Sequence, residues 1–220
     1  MGILSAGENT NMQHLYSKHI GLKEGVDERS SAEEIWKAFK NGDEAAFIHL
    51  YNQYANTLYN YGCQLTHDKE MVKDCLQDFF IYLRKNRSGF SDTAYIKMYL
   101  LKAFKRRVLD YLKKNNKESE KNESFLFLQF PVELSSETIY INRQIEDEQI
   151  HRLNLALKAL DSKEREAIYY FYYEGLSYEQ IAGIFNFSHV SSARRIVYRG
   201  LSQLRKLIIL YYLTIIIDFI

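Results

Sequence analysis

The stretch FYYEGLSYEQIAGIFNFSHVSSARRIVYRGLSQLRK, Phe171 to Lys206, decides how this chain is read. It describes two short helices joined by a tight turn, the second with its charge on one side only. Ser177 caps the first helix, and Gln180, three residues on, reaches back to complete a capping box. Ile181, Ala182, Ile184 and Phe185 then supply an apolar face, and Asn186 tolerates the turn that follows. In the second helix Val190, Ala193, Ile196, Val197, Leu201 and Leu204 recur at helical spacing. Ser191, Ser192, Arg194, Arg195, Tyr198, Arg199 and Ser202 are left pointing outward. Between His189 and Lys206 there are five basic residues and no acid. Arginine can clamp phosphate or guanine and short hydroxyls can approach base edges, so such a face suits a major groove. The segment reads as a helix-turn-helix. The competing reading is a solvated basic face on an ordinary helical hairpin.

The rest of the chain weighs against that competitor. A length of 220 residues allows one large domain or two small ones, and 46% hydrophobic content is that of a globular protein. One proline, Pro131, and the scarcity of alternating Val/Thr strands point to an all-α fold. The net charge of +1 hides a strong asymmetry. From Lys97 to Lys117 there are eight basic residues against one acid, Asp110; from Glu118 to Ile150 there are eight acids against Lys121 and Arg143. Basic surfaces and an acidic connector cancel in the sum, and counterion release responds to the local patch.

Other chemistries find little support. Cys63 and Cys75 form no disulfide framework and lack metal-ligand spacing with any histidine, so a reducing, cytoplasmic setting is expected. His14, His19, His49, His67, His151 and His189 are scattered, without HExxH or other paired spacing. There is no Walker-type glycine loop, and Ser177 caps a helix instead of forming a nucleophile elbow. No enzyme activity, cofactor or metal is expected. No signal peptide is read at the N-terminus, and Ala6 breaks the myristoylation pattern.

Periodicity divides the chain into a flexible leader at 1–30, a helical domain at 31–117, an acidic linker at 118–138, a second helical domain at 139–206 and a hydrophobic tail at 207–220. Ser31 with Glu34 reads as a capping signature ahead of Ile35, Trp36 and Phe39. Asn41-Gly42-Asp43 breaks that helix, and a longer one runs through Ala46, Phe47, Leu50, Tyr54 and Leu58. A third follows Asp68, with Val72, Cys75, Leu76, Phe79, Phe80 and Leu83 inward. After the loop NRSGFSDT (86–93) comes AYIKMYLLKAFKRRVLDYLKKNNK, with Tyr95, Met98, Leu101, Val108 and Leu112 on its apolar side and a strongly basic outer side. Four such helices can bury a common core. Helix resumes near Ile139, and Asp161 with Glu164 marks a further helix start behind the helix-turn-helix.

From Glu34 to Lys206 the chain resembles an extracytoplasmic-function sigma factor of bacterial RNA polymerase, particularly the variety common in Bacteroidetes. WKAFKNGDEAAFIHLYNQYANTLYNYG is similar to the start of sigma region two, and KDCLQDFFIYLRKNR to the helix that docks on the β′ clamp. AYIKMYLLKAFKRRVLDYLKKNNK resembles the melting and minus-ten helix. LDSKEREAIYYFYYEGLSYEQIAGIF and the helix after it resemble region four, which reads the minus-thirty-five element. Where many relatives carry Ala-Arg-Asn this chain has Phe104-Lys105-Arg106, so asparagine-based contacts are not carried over.

The resemblance implies a set of sites and partners. Ser191, Ser192, Arg194, Arg195, Tyr198 and Arg199 would face the minus-thirty-five duplex, with the N-terminal turn nearest the bases. Lys102, Lys105, Arg106, Arg107, Lys113 and Lys114 would hold melted minus-ten DNA. Phe90, Tyr95 and Phe104 would stack extruded bases, at about 1–3 kcal/mol per base, and the 86–93 loop would form a pocket for one of them. Asp74, Gln77, Asp78 and Tyr82 would dock on the polymerase. The implied partners are core RNA polymerase, through its β′ clamp and β flap, promoter DNA and a membrane-anchored anti-sigma factor. The tail LIILYYLTIIIDFI spans roughly 21 Å as a helix, short of the ~30 Å that crosses a bilayer. It can extend the recognition helix and fold back on the second domain, bind a hydrophobic groove on a regulator, or lie against the inner membrane; contact with protein, intramolecular or with an anti-sigma factor, is the favoured reading. Two other classes of function remain: a stand-alone helix-turn-helix regulator, and a membrane-associated adaptor working through its tail.

Overall fold

The structure, a computed structural model, describes residues 28–115 and 147–218, with side chains at 32–114 and 153–209. Every regular element among the described residues is helical, so the all-α expectation holds. Two compact units emerge, one from residues up to 61 together with 70–107, the other from 62–69 and 108 onward. The expected linker at 118–138, and the helix expected from Ile139 to 146, lie outside the described residues.

In the first unit α1 spans Glu28–Lys40, α2 Glu44–Leu65, α3 Lys69–Lys85 and α4 Ile96–Asn115; the last turns of α2 and α4 count with the second unit. Helix α1 already runs three residues ahead of Ser31, which therefore lies inside it and cannot be its N-cap. The break at Asn41-Gly42-Asp43 is as expected, with Gly42 at φ +100° where a side chain would be strained. Asp43 then restarts the chain: its Oδ1 accepts from the backbone N–H of Ala45 at 2.7 Å and Ala46 at 3.2 Å.

The core of this unit is largely aromatic. Trp36, Phe39, Tyr61, Phe79 and Phe104 are fully buried with Leu58, Val72, Leu100 and Leu101. Phe104 is 0% exposed and packs on Phe79 at 5.3 Å, so it cannot offer a ring to a base. That overturns its expected stacking role: on α4 it shares the apolar stripe with Leu100, Leu101 and Val108, opposite Lys102 and Arg106.

In the second unit α5 spans Asp147–Lys158, α6 Ser162–Ile168, α7 Tyr178–Phe185 and α8 Val190–Asp218. Asp161 with Glu164 and Ser177 with Gln180 both form reciprocal capping boxes. Between α6 and α7 the chain widens into a π-turn, Tyr169–Tyr173, which periodicity does not reveal. Its rings tie it down: the Tyr169 hydroxyl donates to Glu174 at 2.8 Å and the Tyr170 hydroxyl to Glu166 at 2.7 Å, both buried. Helix α8 continues without interruption past Lys206 to Asp218, so the apolar stretch extends the recognition helix through that residue. No helix among the described residues is long and apolar enough to cross a membrane.

Candidate nucleic-acid interface

The helix-turn-helix is built by local chemistry. Ser177 Oγ accepts from the Gln180 N–H at 3.2 Å, and Gln180 Oε1 accepts from the Ser177 N–H at 2.8 Å. At the other end of α7, Asn186 takes the left-handed conformation (φ 55°, ψ 38°) and the Phe187 N–H closes on the Ala182 carbonyl at 2.9 Å. This reversal sends the chain through 187–189 into α8. Ala193, Ile196, Val197 and Leu204 are buried beneath it, whereas Ser191, Arg194, Arg195 and Tyr198 are exposed and Ser192 is half-exposed. Val190, expected inward, is 43% exposed, because the first residue of the helix precedes the packed turn.

Two of the expected readers are held by other side chains. The Arg194 guanidinium lies 5.4 Å from the centre of the Tyr178 ring. Arg199 turns back to Glu164, with which it forms an ion pair. The Glu164 carboxylate is buried, its Oε2 accepts from the Asp161 N–H at 3.3 Å, and Gln203 Nε2 reaches its Oε1 at 3.4 Å. Arg199 thus ties α8 to α6 while its side chain stays 58% exposed. Glu164 was legible only as half of a capping box; that its other oxygen meets α8, 35 residues away, is a tertiary fact.

Along α4, Lys102, Arg106 and Lys113 fall on one line (i, i+4, i+11) with Lys105 beside it, opposite the buried stripe. Lys102, Arg106, Lys113 and Lys114 are exposed, and Lys105 and Arg107 half-exposed. Arg107 sits apart from the line, its guanidinium 5.2 Å from the Tyr82 ring. Tyr95 lies just before α4, half-buried, its N–H bonded to Thr93 Oγ1 at 3.0 Å.

The 86–93 loop is held at several points. Trp36 Nε1 donates to the Ser91 carbonyl at 2.9 Å, Lys40 pairs with Asp92 at 2.7 Å, and Glu44 pairs with Arg87 at 2.8 Å and Arg84 at 2.9 Å. Arg87 first and Arg84 second hold the Glu44 carboxyl below its ordinary value, and Lys40 does the same to Asp92. Phe90 is half-buried in a ring cluster with Trp36, Phe39, Tyr82 and Tyr99, at centroid distances of 6.0–6.4 Å. Of the residues the loop depends on, Trp36 was legible in the sequence only as an apolar helix position, and Glu44 carried no signal there.

On α3, Asp74, Gln77, Asp78 and Tyr82 are all exposed, and Ile81 at 42% exposure joins them. The opposite face carries Val72, Cys75, Phe79 and Leu83, all buried.

Comparison with known proteins agrees with this arrangement. Residues 50–118 match the family Sigma-70 region 2, and residues 150–204 match Sigma-70, region 4. The chain is 23% identical over 158 residues to the ECF RNA polymerase sigma factor SigM of Bacillus subtilis (strain 168), covering 72% of this chain and 92% of that relative. In fold it is similar to the sigma factor RpoE solved in complex with the anti-sigma factor NepR from Bartonella quintana. That likeness has a TM-score of 0.54 at 19% identity, over 74% of this chain and 96% of the other. A region 2 and a region 4, in that order along one helical chain, place it among the RNA polymerase sigma factors of the extracytoplasmic-function type.

Proposed function

We propose a division of labour for a chain that, as a sigma factor, binds core RNA polymerase and directs promoter recognition. The N-terminal turns of α8, through Ser191, Ser192, Arg194, Arg195 and Tyr198, read the minus-thirty-five duplex. The basic line of α4, Lys102, Lys105, Arg106 and Lys113 with Arg107 and Lys114 beside it, holds the minus-ten strand. Phe90, half-buried, meets an extruded base together with Tyr95. Asp74, Gln77, Asp78 and Tyr82 of α3 dock on the β′ clamp, and the second unit meets the β flap. The observation that carries this reading is the first half of α8: an Arg/Ser face, uninterrupted by acid, directly after a left-handed turn and backed by a buried face.

The chain works in the cytoplasm, where polymerase is, and the Bacteroidetes variety is the one its motifs fit best. An anti-sigma factor is the natural inhibitor, a reading supported by the similar fold solved with one. The test is abortive transcription with the purified chain, core RNA polymerase and a library of promoter fragments from the source genome. Product that needs the chain and shares an upstream motif is expected. A gel shift on duplex DNA without polymerase, and no product with it, would replace this reading by a stand-alone regulator.

A further inference from the structure

Arg194 is the base-facing cation whose surroundings the structure defines most fully. The Phe171 ring lies flat on the Tyr178 ring, with centroids 4.7 Å apart and an interplanar angle of 16°. Tyr172 meets the outer side of Phe171 edge-on at 5.0 Å and 75°. The Arg194 guanidinium is 5.4 Å from the Tyr178 centroid. Three pieces of chain therefore meet here: the π-turn, the start of α7 and the exposed face of α8.

Each piece is anchored from below. The π-turn is fixed by the buried Tyr169–Glu174 and Tyr170–Glu166 hydrogen bonds. Tyr178 is the first residue after the Ser177 cap, so the capping box sets its backbone. Ala193, next to Arg194, is 0% exposed and sets the register of α8. A guanidinium has a flat face that suits an aromatic ring and N–H edges that suit carboxylate, phosphate or guanine. Contact through the face would leave the edges free to donate.

We propose that Phe171 and Tyr178 form a platform that sets the plane of the Arg194 guanidinium, so that its N–H edges meet the duplex already oriented. Tyr178 is a positioning residue for promoter discrimination, acting through its ring. The proposal rests on the reading of α8 as the minus-thirty-five reader and adds a specificity determinant that lies on another helix.

The experiment uses holoenzyme assembled from the full chain. Wild-type holoenzyme first selects a preferred upstream duplex from a randomised pool; binding to that duplex and to a scrambled one is then measured for each variant. Tyr178→Ala and Tyr178→Leu are expected to lower the preference about two- to fivefold. Tyr178→Phe, which keeps the ring, is expected to stay near wild type. Arg194→Ala combined with Tyr178→Leu should discriminate no worse than Arg194→Ala alone, the non-additivity expected of residues acting through one another. Tyr178→Leu keeps apolar bulk, so it remains informative where Tyr178→Ala lowers stability.

Two results overturn the proposal while leaving the α8 reading intact: Tyr178→Leu discriminating as well as wild type, or its loss adding in full to that of Arg194→Ala. A loss in Tyr178→Phe as large as in Tyr178→Leu also overturns it, since the hydroxyl would then be what matters. If Arg194→Ala alone leaves discrimination unchanged, the assignment of α8 falls and the platform falls with it.

Discussion

At position 200 the recognition helix crosses α6 so closely that one added methyl would meet Ile168 Cδ1 at 2.8 Å and Glu164 Cβ at 3.3 Å. Gly200→Ala gains helix propensity but must push a buried isoleucine aside. It is expected to lower stability by about 1–2 kcal/mol, read as a fall in melting temperature. Ile168→Val in the same chain removes the clashing Cδ1 and should restore most of the loss; no restoration would place the strain elsewhere. Beside it, Arg199→Met strands a buried carboxylate and should cost about 1–3 kcal/mol in chemical denaturation. Adding Glu164→Gln, which removes the charge but keeps an acceptor, should recover part of it. These contacts explain what the sequence could not show. Helical period alone predicted correctly that Ser191, Arg194, Arg195 and Tyr198 are exposed. That Arg199, equally outward by period, is drawn to Glu164, and that Phe104 is core, depends on neighbours far away in the chain.

At the level of elements, the 86–93 loop is a connection clamped by charge pairs, and charge pairs answer to pH and salt. Glu44 and Asp92 have folded values held below their ordinary 4.5 and 3.8. Their contribution is therefore complete above those values and is lost as pH falls through the depressed ones. Amide exchange of 86–93, corrected for intrinsic rates, is expected to accelerate relative to α3 below about pH 4.5. The same acceleration should follow at neutral pH from added salt, because these pairs are exposed. His49 behaves in the same sense for a different reason. Burial holds it below its ordinary 6.5, so the fold prefers the neutral ring and loses stability as pH drops from 6.5 through the lowered value. His49→Gln should flatten that part of a melting-temperature profile; an unchanged slope would assign it to another group. Helix ends were legible where the chemistry is local, as at Ser177–Gln180, Asp161–Glu164 and Asn186. They failed where it is not: Ser31 and Glu34 have the right spacing for a cap, yet α1 begins at Glu28. The π-turn at Tyr169–Tyr173 was equally hidden, since the hydroxyl bonds that anchor it need the folded helices.

For the molecule as a whole, the two basic runs, 97–117 and 194–206, were legible in the sequence as two candidate nucleic-acid faces. What they did not announce is that compactness changes hands at residue 107, inside α4, while the basic run continues to Lys117. Charge is written along the chain, whereas packing is decided by which side chains meet. Reversing Arg194 and Arg195 to Glu is expected to abolish upstream promoter selection while polymerase binding survives, measured by holoenzyme pull-down alongside transcription. Loss of both activities would move those arginines from the DNA face to the docking face. The two outcomes are expected to separate because the proposed reading places the two tasks on different helices. The recognition helix has a further property of its own. Its 29 residues form one rod of about 43 Å at 1.5 Å per residue, with the proposed reading turn at one end and the apolar run of the sequence at the other. No hinge interrupts it between Val190 and Asp218. A partner that seizes the far end therefore holds a lever, and tilting that lever would lift the reading turn from the groove without touching a single arginine.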